Sequence, residues 1–408
     1  MATKAYQISF GGTAAGNDFY GDVVSLTVEE STAAASAFSL RLISRLQENG
    51  SWGYLDDDRL ALFNPVSIRM GFTGGGGTAA ALGSLLGGGS GDGGGLSTVF
   101  DGYVTAFKLN LSADPANNFV EVSGMDSSVL MSMEEKIATW PNLSDSDIAE
   151  QIVGAYGLAV QADSTSTTHQ EDDTTIVQRG TDLQFVRDLA RRNGMEFYFE
   201  TDDGGTVNAY FRAPQLAGDP QPDLAVQFGD QTNLKSFSAH LSGLRPLSVK
   251  TEQMDIQANS ANSAQVSDVS LPQLGANDAD ALVSGPLGSL VTPQDALAQT
   301  LVLGPPTSDA TELQTIAQAV RDEAGWFINA TGEIDSDAYQ SVLRPRRLVL
   351  VKGAGTAFSG KYYVTKVTHE VKADGSYAQT FEARRNARDV DGSEQFGQSG
   401  SGLPIAGG

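Results

Sequence analysis

The sequence predicts a mainly β protein interrupted by α+β insertions. Three observations predict it. Segments that alternate apolar and polar residues fill 1–111 and return at 231–262 and 340–388. Segments with helical spacing and N-cap signals fall between them. The chain has 408 residues, 40% of them hydrophobic, which suffices for two or three packed domains.

The elements follow in order. Val24, Leu26 and Val28 alternate, and so do Phe38, Leu40 and Leu42 in Ala37–Ile43. Val66, Ile68 and Met70 share a face of Phe63–Phe72, and Val104, Phe107 and Leu109 point to a core from Thr98–Leu111. Between these last two lies Gly74–Gly95, in which 12 of 22 residues are glycine. It reads as a flexible excursion from a hairpin, with Leu82, Leu85 and Leu86 as an apolar island able to dock on a neighbour. Residues 112–230 read as an α+β module. The strand-like Asn117–Asp126 leads through Trp140 to a helix capped by Ser144, with Ile148, Ile152 and Tyr156 spaced by four and Gly157 as its stop. Ser164–Thr175 is a polar loop. Thr181 and Gln184 make a capping-box pair, followed by Phe185, Val186, Leu189 and the stop Gly194. The hairpin Met195–Glu200/Thr206–Ala213 closes the module. Residues 231–262 return to strands. Residues 263–339 read as a helical and irregular insert with one clear helix, Thr311–Ile328, carrying Leu313, Ile316, Ala317, Val320 and Trp326. Residues 340–388 give three strands, one turn passing through Ala373-Asp374-Gly375, and Asp389–Gly408 is a flexible tail.

Composition removes whole classes of function. There is no cysteine, hence no thiol nucleophile and no Cys-ligated zinc or iron–sulfur cluster. Three histidines, His169, His240 and His369, leave little room for Ser-His-Asp or His-rich metal designs. The net charge of −24 repels phosphate backbones, so autonomous nucleic-acid binding is disfavoured. No run of about 18 apolar residues crosses a membrane, and Met1–Gly12 lacks the apolar core of a signal peptide. The expectation is a protein made in a cytoplasm that does not leave by the general secretory route.

Val177–Glu200, VQRGTDLQFVRDLARRNGMEFYFE, resembles the segment Q-x-x-S-D-x-x-F-l-x-r-l-A-x-x-x-G-x-x-f-y-f-e. That segment marks phage late-control protein D, tail (baseplate) hub proteins and the hub part of VgrG proteins of type VI secretion. Gln178, Asp182, Phe185, Leu189, Ala190, Gly194 and Phe197 fall on its positions, and Thr181 stands where Ser is common. Residues 100–157 and 360–386 are similar to the family's flanking strands, including Val364, Val367 and His369 in its closing V-x-x-V-x-H element. The resemblance implies two tube-type antiparallel β-barrels per chain and a homotrimer whose six barrels match a hexameric tail tube on one face and a trimeric spike on the other. It implies a structural role without cofactor, metal or catalytic residue. The partners would be tail tube, baseplate wedge and LysM-type adaptor proteins, in a virion tail or injection-particle baseplate assembled in the host cytoplasm. VgrG proteins continue into an OB-like domain and a β-helical needle. This sequence instead reads as the split arrangement, with a separate OB/β-helical spike protein.

Individual residues are weighed against that reading. Asp182 sits at a helix N-terminus, where a carboxylate suits the dipole better than it signals catalysis. His369 reads as a packed strand histidine facing away from Glu370. His169, in THQEDDTT, reads as part of a solvated loop rather than a cation site. Asp56-Asp57-Asp58 reads as a turn or charge run. The span Arg344–Lys372 holds seven cations (Arg344, Arg346, Arg347, Lys352, Lys361, Lys366, Lys372) against Glu370, and Arg384, Arg385 and Arg388 follow. These cations alternate outward on solvated strands, face acidic neighbours in an assembly, or contact DNA as a genome passes. On the second reading, reversing Arg346 and Arg347 to Glu impairs assembly and spares the monomer. The other functions carried by the sequence are a tail-associated cell-wall-degrading enzyme and a carbohydrate-binding β module.

Overall fold

The computed structural model describes residues 3–73, 95–171, 176–202, 204–255, 259–288, 300–303, 309–392 and 394. Residues 74–94, with Leu82, Leu85 and Leu86, lie outside the described residues, as does the tail from 395.

The protein is mainly β. One 13-stranded sheet runs through both β regions. From one edge its order is Leu234–Leu241, Ile328–Ile334, Tyr377–Arg385, Gly360–Lys372, Val23–Ser31, Ala37–Ile43, Phe119–Asp126, Leu96–Asn110, Pro65–Thr73, Thr3–Phe10 and Thr13–Ala14. Leu348–Lys352 branches from Gly360–Lys372 and carries Gln221–Ala225 in parallel. The two halves join where Val23–Ser31 pairs antiparallel with Gly360–Lys372, in the register His369 opposite Val28.

Alternation decides what each half buries. In Ala37–Ile43, Phe38, Leu40 and Leu42 point inward with neighbours half-exposed between them. They pack with Ile8, Leu26, Val28, Ile68, Val104 and Val122 into the first core. Each such side chain contributes about 1.5–3 kcal/mol on burial. Strand pairing there is tight. A Cβ on Gly124 would meet the Tyr103 carbonyl oxygen and the Phe38 ring, so this rung requires glycine. The second half wraps its own core of Phe327, Ile328, Ile334, Val349, Tyr362, Val364, Val367 and Phe381.

A third core belongs to the α+β module. Helix Asp145–Gly154 starts at a Ser144–Asp147 capping box, and helix Asp182–Arg192 at the Thr181–Gln184 box. Both cover the sheet Glu196–Thr201/Val207–Arg212/Ala159–Ala162 with Ile148, Ile152, Phe185, Val186 and Leu189. Gly194, at φ +68, releases the second helix into its strand.

Several elements differ from the sequence reading. The helix expected over Thr311–Ile328 spans Ala310–Gly325. Trp326 and Phe327 are buried outside it, and Ile328–Ile334 is a strand of the main sheet rather than part of an insert. Its INATGEI sequence alternates Ile328, Ala330 and Ile334 inward, but Asn, Thr and Gly mask the pattern. Neighbouring strands on both sides override the weak local preference. Phe119–Asp126 and Gln221–Ala225, read into the α+β module, pair into the main sheet. Ser248–Asp255, read with the second β region, instead forms a three-stranded sheet with Ser260–Val266 and Thr300–Leu303. Helix Ala310–Gly325 packs on it through Ala317 and Val320.

Candidate functional site

The basic span converges on a buried ionic junction. Val23–Ser31 places Leu26, Val28 and Glu30 on its inward face, so Glu30 enters the protein interior. Opposite, the inward face of Gly360–Lys372 carries Val367, His369 and Val371. Arg344 donates from Nε and Nη2 to the Glu30 carboxylate at 2.8–3.1 Å, and from Nη1 to the Thr98 carbonyl at 2.6 Å. Arg346 lies 3.7 Å from Glu30 and donates to the Ser31 carbonyl at 3.0 Å and to Glu200 at 3.4 Å. Its guanidinium also stacks 4.3 Å above the Tyr198 ring. Arg347 reaches Glu200 at 2.6 Å from the partly exposed side. His369 Nδ1 meets the Tyr377 hydroxyl at 2.8 Å, and its Nε2 lies 3.4 Å from Glu30. Glu30 comes from the first half, Glu200 from the module and the arginines from the second half. The junction therefore ties three parts of the chain together.

Burial alone would raise the Glu30 pKa. Arg344, then His369 and Arg346, outweigh it and bring it to about 2, below its ordinary 4.5. A carboxylate with a depressed folded pKa stabilises the protein above its unfolded pKa. That contribution is lost as pH falls from 4.5 toward about 2. Acid titration of wild type and Glu30→Gln should show their stability gap narrowing through this window. A gap that stays constant down to the acid limit would remove Glu30 as the ionised partner.

The other cations of the span are likewise engaged internally. Buried Lys352 reaches Asp223 at 2.5 Å, and Lys366 reaches Glu29 at 3.0 Å. Lys372 reaches Glu370 at 3.3 Å. Arg384 pairs with Glu196 and Glu323 at 3.2 and 2.9 Å, and Arg388 with Asp389 at 2.9 Å. Fully buried Arg385 donates to the carbonyls of Leu274, Ser359 and Asp389. This corrects the sequence readings for Arg344 and Arg346, which are buried against Glu30 and Glu200 and neither project into solvent nor offer themselves to a neighbour, while Arg347, Lys366 and Lys372 do sit on outward, partly exposed positions. The carboxylates of Arg344 and Arg346 come from residues far away in sequence. Glu30 was nonetheless detectable, because residues 26, 28 and 30 share one parity of an alternating strand.

The motif residues are equally structural in their contacts. Asp182 accepts hydrogen bonds from Lys136 Nζ, the Tyr156 hydroxyl and Gln178 Nε2, each at 2.6 Å, while Trp140 Nε1 donates to Gln178 Oε1 at 3.1 Å. Burial pushes the Asp182 pKa up, but these donors outweigh it and hold the carboxyl below its ordinary value. His169 is not in a solvated loop. It is 1% exposed, with Nε2 2.9 Å from Asp145 and 2.8 Å from Arg192. Arg192 also bridges to Glu312 at 3.0 Å, linking the module to helix Ala310–Gly325. Asp57 caps the short turn Asp58–Leu60 and pairs with Arg59. Among the described residues no group of three or more His, Asp or Glu is placed to hold a metal ion, and no helix is long and apolar enough to cross a membrane.

Known proteins share this architecture. The 43 kDa tail protein of prophage MuSo2 from Shewanella oneidensis aligns with a TM-score of 0.61 at 14% identity, over 95% of this chain and 100% of that one. The tail protein from Neisseria meningitidis MC58 aligns with 0.61 at 12% identity, over 94% and 97%. An E. coli component of the type VI secretion system, described as structurally similar to T4 bacteriophage tail proteins, aligns with 0.51 at 16% identity, over 89% and 73%. At these identities the likeness is one of fold. No curated protein sequence matches the chain. The family model that does match, over residues 90–373, is described as the Alg8 N-terminal domain rather than as late-control protein D. It spans well over half of the chain, through the module, the junction arginines and most of the closing strands. The chain is thus a member of the Alg8 N-terminal domain family.

Proposed function

We propose that the protein is a structural component of a phage-type tail or injection-system baseplate, and specifically a hub of the late-control protein D kind. In this reading three chains form a ring with pseudo-six-fold symmetry, joining a hexameric tail tube to a separate trimeric spike with an OB/β-helical domain. Baseplate wedge and LysM-type adaptor proteins flank it. It works in a virion or injection-particle baseplate, after assembly in a host cytoplasm, and catalyses no reaction. One observation carries the reading. Two β halves, each with its own core, are joined through one continuous sheet and locked by the buried Glu30–Arg344–Arg346–Glu200 junction. A rigid two-cored unit of this kind suits a part that transmits load and symmetry between two stacked rings. The fold shared with tail proteins over nearly the whole chain supports it.

Light scattering on the purified protein, alone and with the candidate spike, tests this. A three-chain species, or a monomer that becomes one on adding spike, is the expected result. A monomer indifferent to spike and tube at every salt concentration would overturn the assembly role.

A further inference from the structure

A groove of about 430 Å³ opens where the module meets helix Ala310–Gly325. Its floor is apolar, built by Met195, Phe197, Leu271, Val320 and Trp326, and Thr32 and Ala33 form its lip. Three guanidinium groups line it, and Arg191 among them is paired with Asp188 at 2.9 Å. Arg384 stacks 4.3 Å above the Trp326 ring and gives its Nη atoms to Glu323 and Glu196, while its buried Nε has no partner. Arg187 is half-buried and makes no hydrogen bond or ion pair among the described residues. Burial draws its pKa down, with the Asp126 charge opposing and the Arg191 charge adding to the fall. The acids around the groove are already engaged. Tyr363 and Arg384 hold Glu196, Arg384 holds Glu323, and Ser270 and Gln318 hold Asp322. A partly desolvated guanidinium without an acceptor is unfavourable until a carboxylate reaches it.

The chain carries a segment of the matching chemistry. Between Ile43 and Pro65, a loop exposes Leu55, Leu62 and Phe63 around the exposed carboxylates Asp56 and Asp58. The loop is fixed in shape. The Tyr54 hydroxyl donates to Asp22 at 2.8 Å, and the Phe63 amide donates to the Val104 carbonyl at 2.7 Å. Tyr54 and Phe63 hold φ of +68 and +61, a conformation unfavourable for aromatic residues. The loop and the lip sit at opposite ends of Ala37–Ile43. At about 3.3 Å per residue that strand separates them by more than about 20 Å. A chain therefore cannot place this loop in its own groove, but a second copy can.

We propose that the groove between Arg187 and Arg384 receives the Leu55–Phe63 loop of a neighbouring copy, with Asp56 or Asp58 meeting the Arg187 guanidinium. The contact is heterologous, loop of one copy into groove of the next. Closing a ring satisfies every loop and every groove. The inference rests on the homotrimeric reading above and names the surfaces that build it.

The test uses the full chain. Self-association is measured by sedimentation over a range of concentration and salt for wild type, Asp56→Lys with Asp58→Lys, Arg187→Glu, and the combination. The loop variant alters exposed residues, and circular dichroism and thermal melting check that each variant folds. Each set alone should weaken association by about tenfold or more, and the combination should recover much of the loss. Wild type should weaken as salt rises. A loop variant that assembles like wild type, or a combination no better than the sum of its parts, overturns the proposal and leaves the trimer standing. A wild type that stays monomeric throughout, with spike added, overturns the trimer and the contact with it.

Discussion

Arg346→Ala is expected to cost about 3–5 kcal/mol of folding stability, because it leaves Glu30 and Glu200 buried beside an empty site. Arg346 is only 5% exposed, so its removal leaves a buried polar cavity beside two carboxylates. The fold also holds it at φ +62, with its amide donating to the Val364 carbonyl at 2.8 Å. Arg346→Glu would add a third carboxylate to the same space and prevent folding. The double reversal with Arg347→Glu is therefore expected to yield no folded monomer, where the sequence suggested a folded monomer impaired in assembly. Arg347→Glu alone is milder, about 1 kcal/mol, because that side chain is half in water. Urea unfolding of Arg346→Ala and Arg347→Glu measures this order, and circular dichroism checks that the Arg346→Glu forms are unfolded. An Arg346→Ala melting temperature within about 2 °C of wild type would show that the junction does not hold the halves together.

Asp182→Ala is expected to cost about 2–4 kcal/mol. The carboxylate takes three donors at once, and its removal strands the fully buried Gln178 and takes an acceptor from the half-buried Tyr156. It also removes a negative charge from the N-terminus of helix Asp182–Arg192. Asp182→Asn keeps the shape but recovers only part of the loss. Its amide would turn an N–H₂ toward either Gln178 Nε2 or the Lys136–Tyr156 side, and Gln178 cannot flip without breaking its bond from Trp140. Denaturant unfolding separates the two variants. Unchanged stability in Asp182→Ala would reverse the structural assignment and reopen a chemical role for this carboxylate.

Much of the local structure was legible in the sequence because its causes are local. The Ser144 cap and the Thr181–Gln184 capping box form as read, since each needs only residues three apart, and Asp147 completes a box at Ser144 that the sequence reading does not name. Ala37–Ile43 is a strand with the expected face inward. Ile328–Ile334 was not legible, because its residues lack strong β preference and the flanking strands impose the conformation. His369 was read as a packed strand histidine and is one. Its partner Tyr377 follows across a tight hairpin, while its partner Glu30 comes from 339 residues away.

The sequence by itself determined that the protein is mainly β, where its module helices begin, and that cysteine chemistry has no place in it. Periodicity and caps act over a few residues, so a single chain displays them openly. Tertiary structure alone decided the meaning of the charges. From Arg344 to Lys372 the sequence shows seven cations and one acid, a stretch that looks like an exposed basic surface. Folding brings Glu29, Glu30, Glu200 and Asp223 onto it from distant segments and takes Arg344 and Arg346 out of water. Coulomb attraction depends on distance in space and on the surrounding dielectric, and sequence order specifies neither.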